Sequence, residues 1–243
     1  MSDRDGDGAL VGWPAAGEHL GRAYLRYSFT KGTEQEVAFL IDVLGLEPGR
    51  HRVLDVGCGP GRHAHALARR GIETHGIDLT PRFVELAQEQ APPGATFEQQ
   101  DARHLPFDEE FDVAISLCQG GFGLVREDDP SVLEGMARAI RPGGLLALSA
   151  FSAYFAVRFL DDTDEFDAGT GINVERTQLK DEQGNDRPFV LETTCFTPRE
   201  LRLLVAQAGL QTEHLWSVTP GRYERTPPNL DTPEFLLVAR KPR

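Results

Sequence analysis

The sequence predicts an α/β fold, a doubly wound sheet in which short buried strands alternate with helices. Three observations predict it. Val53-Leu-Asp-Val56 is a short, β-branched apolar run of the kind a buried parallel strand needs. Gly57, Gly59 and Gly61 follow at alternate positions, and Ala64, Leu67 and Ala68 then recur on one helical face. Strand patterns return near residues 73–77, 111–117 and 145–149, with helix or turn signals between them.

The elements follow in order. Met1–Gly8 is polar and rich in Gly and Asp, so it reads as a frayed end. Residues 18–28 and 33–44 read as two helices. In the second, Thr33 is placed as N-cap with Glu36 three residues on, Gly45 closes the end, and Val37, Leu40, Ile41 and Leu44 share a face. The glycine turn after Val56 opens a helix that Gly71 stops. Glu73–Ile77 is the second strand, and a helix starts near Pro81. Phe111–Leu117 and Leu145–Ser149 are further strands, the latter after Arg141-Pro-Gly-Gly144. An insertion spans about 153–196. Within it, 172–180 and 187–196 alternate as the two strands of a β-hairpin around the turn-rich Asp181–Asp186. Phe189, Leu191, Thr193 and Cys195 form its apolar side. A helix at Pro198–Ala208 ends at Gly209, and strands near 211–218 and 234–240 close the chain. The whole of 1–243 reads as a single domain.

The glycine turn carries the chemistry. A dinucleotide loop wants G-x-G-x-x-G. Here the third glycine comes one residue early, and Arg62 stands where that motif needs Gly. Asp55 lies two residues before the first glycine. A carboxylate there repels a pyrophosphate and attracts an ammonium or sulfonium, directly or through water. The loop therefore suits a cationic ligand.

Residues 53–61 resemble motif I of the class I S-adenosylmethionine-dependent methyltransferases, a hydrophobic strand followed by Asp-x-Gly-x-Gly-x-Gly. Asp78 at the end of the second strand, Asp101-Ala102 before Leu105-Pro-Phe107, and Pro142-Gly-Gly144 before the fifth strand match further family segments in the right order. The resemblance covers residues 53–150. It implies a Rossmann-like sheet of about seven strands with the ligand at the strands' carboxyl ends. It also implies S-adenosyl-L-methionine as cofactor, held by Asp55, Gly57, Cys58 and Gly59 at the turn. Asp78 would bind the ribose and Leu79 pack on the adenine. Asp101 and Ala102 would read the adenine edge, with Leu117 and Cys118 beside them. The activity implied is methyl transfer to a small-molecule O- or N-nucleophile. An RNA or protein methyltransferase and a non-catalytic S-adenosylmethionine-binding protein are the alternatives.

No catalytic residue is fixed by the motifs. Gln119, in the Cys118–Gly123 loop, is a candidate to orient the acceptor, and Phe122 to wall its pocket. Tyr27, with Tyr24, lies on the N-terminal helix and is a candidate to close over the cofactor. His104, Tyr154 and Arg158 read as surface or packing residues. The insertion is expected to form a lid over the acceptor or a homodimer contact, and to stay outside the cofactor site.

The net charge is −13, from 38 acidic and 25 basic residues, which disfavours a broad nucleic-acid or anionic membrane surface. Cys58, Cys118 and Cys195 are too few and scattered for a disulfide framework or a Cys-rich zinc site, and the histidines show no metal-ligand spacing. With no apolar run of membrane-spanning length and no signal-peptide core, the expected location is the cytoplasm.

Overall fold

Residues 8–118 and 120–243 are described by a computed structural model. Gln119 and residues 1–7, on which two sequence expectations fall, lie outside the described residues. The elements are β1 (Leu10–Val11), α1 (Trp13–Leu20), α2 (Thr33–Leu44), β2 (Arg52–Val56), α3 (Arg62–Ala68), β3 (Glu73–Asp78), α4 (Pro81–Glu89), β4 (Ala95–Gln99) and β5 (Phe111–Ser116). They continue with α5 (Asp129–Ala139), β6 (Ile140–Ser152), α6 (Ala153–Arg158), β7 (Asp164–Asp167), β8 (Ile172–Lys180), β9 (Asp186–Phe196), α7 (Pro198–Gln207), β10 (Gln211–Thr219), β11 (Arg222–Thr226) and β12 (Glu234–Arg240).

The main sheet runs β4-β3-β2-β5-β6-β12-β10, with the short β11 added at the β10 edge. The five strands from β4 to β6 are parallel, and β12 pairs antiparallel with both β6 and β10. This is the expected seven-stranded, Rossmann-like arrangement with one extra edge strand. Parallel strands covered on both faces must be apolar throughout, and Leu54, Val56, Ala114, Leu146 and Leu148 are buried in one layer. Val53, Val113, Ile115 and Ala147 fill the other, under α2 and α3. Chain order steps outward from β2 through β3 to β4, then reverses through β5 to β6. The loops after β2 and β5 therefore part at a switch point, where such sheets bind ligands.

Two expectations at the N-terminal end are corrected. The first helix starts at Trp13 and breaks at Gly21 into a 3₁₀ segment, Gly21–Arg26, because Gly21 takes φ 47°. In α2 the N-cap is Gly32, not Thr33, whose hydroxyl donates to the Thr30 carbonyl at 3.1 Å. Glu36 therefore sits one position too deep to cap and is fully buried instead.

The insertion forms a small second sheet. β8 and β9 pair from Ile172↔Thr194 to Lys180↔Asp186, with β7 added at the β8 edge. A lone hairpin is marginal in water, so it must pack on something. The N-terminal segment meets that need. β1 pairs with β9 at Leu10↔Phe189, and Ala16 and Leu20 of α1 pack on Leu179, Phe189 and Leu191. Glu182 in the hairpin turn accepts from the backbone N–H of Arg22 at 2.9 Å and from Arg82 at 3.0 Å. The cap over the sheet is thus two segments far apart in sequence that share one apolar core.

Candidate functional site

Between the cap and the carboxyl ends of β2–β6 lies a cavity of about 380 Å³. Its floor begins at the glycine turn. Gly57 has φ 71°, and a Cβ there would fall inside the backbone of Gly120 in the loop after β5. Only glycine lets these two loops touch. Gly59 has φ 54°, and a Cβ would meet only the Tyr24 ring edge at 4.0 Å, so its bare backbone faces open space.

Asp78 ends β3 at the cavity edge. Its Oδ2 accepts from the Gly59 N–H and its Oδ1 from the Thr80 N–H, both at 2.8 Å. The carboxylate thus fixes the glycine turn. Burial pushes its pKa up, and these backbone donors act against that. Leu79 beside it lines the cavity with 41% of its surface bare, although it is apolar. Asp101 and Ala102 line the next stretch. The Asp101 carboxylate is clamped by Arg103, with Nη2 to Oδ2 at 2.6 Å and Nε to Oδ1 at 3.0 Å. That clamp holds its pKa below the usual range.

Gly57, Gly59, Asp78, Leu79, Asp101, Ala102 and Cys118 are therefore brought together as the sequence predicts. Other expected residues are not in the wall. Asp55 is buried beneath α3, where its carboxylate accepts from the Ala64 N–H, and burial raises its pKa to about 7. A side chain directed at the first turn of a helix cannot also reach the cavity. Cys58 packs with Val84 and Phe97, and Leu117 lies in the layer under α2. Tyr27 stacks on Phe29 at 5.7 Å and belongs to the cap core, whereas Tyr24 is the tyrosine that lines the cavity, edge-on to Phe83 at 5.0 Å. Phe122 is also a core residue, stacked on Phe196 at 4.8 Å. His104 is exposed, and Arg158 pairs with Asp231 at 3.1 Å.

Behind the cavity, a buried polar wedge links three segments. Glu36 Oε2 accepts from Arg62 Nη1 at 2.6 Å and from His63 Nε2 at 2.8 Å, and its Oε1 accepts from the Gly221 N–H at 2.7 Å. Arg62 Nη2 reaches Cys118 Sγ at 2.7 Å. Cys118 holds a left-handed φ of 52°, and its N–H donates to Ser149 Oγ at 2.8 Å. Burial, reinforced by the charge of Glu234, pushes the Cys118 thiol well up despite Arg62. It stays protonated and is a poor nucleophile. Arg62, which spoils a dinucleotide motif, instead pins the loop that bears Cys118.

Sequence reasoning missed the far half of the cavity. Trp13, Phe29 and Phe151 supply aromatic walls, and Asn173, Glu175, Thr193 and Glu234 the polar groups. Only Glu234 left a signal, as a carboxylate opening the otherwise apolar strand Phe235–Ala239.

A family described as a methyltransferase domain matches residues 53–144. The cypemycin N-terminal methyltransferase of a Streptomyces species is 27% identical over 207 residues, covering 78% of this chain and 82% of its own. Across the curated relatives it matches, the chain spans from 33% to 82% of the other protein's length. The CcbJ methyltransferase of Streptomyces caelestis superposes with a TM-score of 0.77 at 19% identity, covering 94% of this chain and 98% of that one. CalS10, an amino pentose methyltransferase of Micromonospora echinaspora solved with S-adenosylmethionine bound, superposes with a TM-score of 0.64 at 24% identity, covering 90% and 95%.

Proposed function

The chain belongs to the class I S-adenosylmethionine-dependent methyltransferase family, and from that premise we propose that it methylates a small-molecule nucleophile enclosed beneath the cap. One observation carries this reading. A single cavity joins the motif residues Gly59, Asp78 and Asp101 to the cap residues Trp13 and Glu175.

The residues present fit the cofactor. Gly59 leaves bare backbone toward open space. Asp78 sets its carboxylate in the cavity lining, where vicinal hydroxyls would meet it, and the half-bare Leu79 offers an apolar face for a planar ring. Asp101 and Ala102 line the same cavity and would read the base edge. S-adenosylmethionine, when bound, supplies a methyl group already activated by its sulfonium charge. The remaining work falls to the chain: holding the acceptor in line and excluding water, which can contribute several kcal/mol. The aromatic walls and the cap serve the second need.

Four acidic residues and no Lys, Arg or His line the cavity among the described residues. That supports a small acceptor over RNA, whose phosphates need cations. Among the described residues no helix is long and apolar enough to cross a membrane. The three cysteines are free thiols, which supports a reducing, cytoplasmic setting.

Calorimetry tests the cofactor reading. S-adenosylmethionine and S-adenosylhomocysteine should both bind and NAD should not. Asp78→Ala should weaken binding by roughly 1–3 kcal/mol, since two hydroxyls lose their acceptor and the turn its tether. Absence of heat with S-adenosylmethionine, or an unchanged affinity in the variant, overturns the reading.

A further inference from the structure

The acceptor half of the cavity has a one-sided chemistry. Its charged groups are carboxylates, Glu175 and Glu234, beside the Asn173 amide and the Thr193 hydroxyl. Glu234 rises from the start of β12, whose register places it against Phe151 at the end of β6, and it is only 3% exposed. Glu175 comes from the opposite side, on β8 of the cap, paired with Leu191 on β9 and Asp164 on β7. Asn173, two residues earlier on β8, turns its Nδ2 toward Asp164 at 3.4 Å. Its Oδ1 is left buried without a hydrogen-bond partner. A buried acceptor without a donor is costly, and the cavity is where a ligand can supply one.

Among the described residues no cation lines this wall. Arg62, the buried cation behind Cys118, is engaged by Glu36, Thr33 and the Cys118 sulfur and does not line the cavity. The remaining surface is aromatic and aliphatic: Trp13, Phe29, Leu124, Val125, Phe151 and Pro233. Carboxylates from the sheet and from the cap, with aromatic faces in the same lining, attract an organic cation and repel an anion.

Resting on the methyltransferase reading, we propose that the acceptor is an amine on an apolar body, its ammonium bound between Glu234 below and Glu175 above. The reaction then balances without any further reagent. The ammonium gives one proton to a carboxylate and so frees a lone pair. That pair forms the new N–C bond as the C–S bond breaks, its electrons remaining on sulfur. The neutral amine takes on the positive charge that the sulfonium loses, and the carboxylic acid releases its proton to water. Glu175 suits the proton-accepting role, since burial, with the charge of Asp164 added, raises its pKa.

The test uses protein saturated with S-adenosylhomocysteine, so that only binding is read. Phenethylamine, 2-phenylethanol and 3-phenylpropionate are titrated at pH 7 by calorimetry. The amine should bind at least tenfold more tightly than the alcohol, and the carboxylate should give no heat. Glu234→Gln and Glu175→Gln should each weaken the amine by about tenfold, equivalent to about 1.4 kcal/mol, with little change for the alcohol. Affinity for S-adenosylhomocysteine should hold in both variants. Circular dichroism checks their fold, and the exposed Glu175 carries the test if the Glu234 variant does not fold. Equal binding of alcohol or carboxylate, no heat from the amine, or an unchanged amine affinity in the variants overturns the proposal. Failure to bind S-adenosylhomocysteine at all would instead bring down the methyltransferase reading beneath it.

Discussion

His63 and Glu36 meet in the buried wedge between α2 and α3, and their protonation ties this site to stability. Burial, aided by the charge of Arg62, lowers the His63 pKa to about 4, although Glu36 acts in the opposite direction. Burial pushes Glu36 up, but its interactions with His63 and Arg62 win and hold it at about 2. At neutral pH, His63 is then a neutral donor and Glu36 an anion paired with Arg62. An ionisable group held neutral by burial resists protonation in the folded state. The contribution of His63 is therefore present above its unfolded value near 6.5 and is lost as pH falls toward 4. That of Glu36 is lost lower down, from 4.5 toward 2. Asp55 and Asp129, raised by burial to about 7 and about 6, act in the opposite sense and gain stability as pH falls toward 3.8. A single melt can hide these opposed terms, but a variant separates them. In urea titrations, His63→Gln should gain stability relative to the parent between pH 7 and pH 5. A constant difference across that range would refute the assignment. Asp101 offers a second check at this scale. Asp101→Asn replaces an acceptor by a donor at the position expected to meet the adenine amino group. Affinity for S-adenosylmethionine and S-adenosylhomocysteine should fall together, because both carry the base. Loss of turnover with both affinities intact would make Asp101 catalytic instead.

The β8–β9 hairpin and α1 behave as one element, although about 150 residues part them. On sequence alone the hairpin is a lid separate from the cofactor. In the structure α1 stands between the two. Gly17 of α1 is close enough to Phe83 and Thr80 that a Cβ would sit 2.9 Å and 3.0 Å from them, and Glu18 accepts from the Arg82 N–H at 3.0 Å. The same helix rests its other face on Phe189 and Leu191. Hairpin, α1 and the start of α4 beside Asp78 therefore form a stack. Replacing residues 173–192 with a short Gly/Ser linker removes the hairpin side of the core that holds α1 and its neighbour Tyr24. S-adenosylhomocysteine affinity should then fall by about tenfold or more, roughly 1.4 kcal/mol. An affinity within threefold of the parent in a folded variant would show that α1 is held by α4 alone.

At the scale of the whole molecule, the sheet places two kinds of surface against each other. The parallel strands end in loops whose backbone groups and acids face one crevice, while the cap closes that crevice with aromatic rings and two β8 side chains, Asn173 and Glu175. The network through Glu36 joins α2, α3 and the turn before β11, and Arg62 extends it to the loop after β5. The acceptor side thus hangs on contacts that no single motif contains. This division explains which expectations held. The βα units, the glycine turn and the acids at strand ends were legible because each is a short-range pattern. The cap residues were not, because β8 alternates too weakly to say which of its faces turns inward.

The sequence by itself determined the α/β class, the succession of the central strands along the chain and the positions of Gly57, Gly59, Asp78 and Asp101. Strand periodicity, glycine dihedrals and the motif spacing all act within a few residues, so a linear reading suffices. Only the tertiary structure decided that Tyr24 rather than Tyr27 faces the cavity, because a 3₁₀ segment replaces the expected helical phase there. It alone decided that Glu36 is a buried ion-pair partner and not a helix cap, through partners 26 and 185 residues away. It also placed Glu175 and Glu234 in the lining of one cavity. Burial and charge pairing arise from packing between segments remote in sequence, and no period or local propensity encodes them.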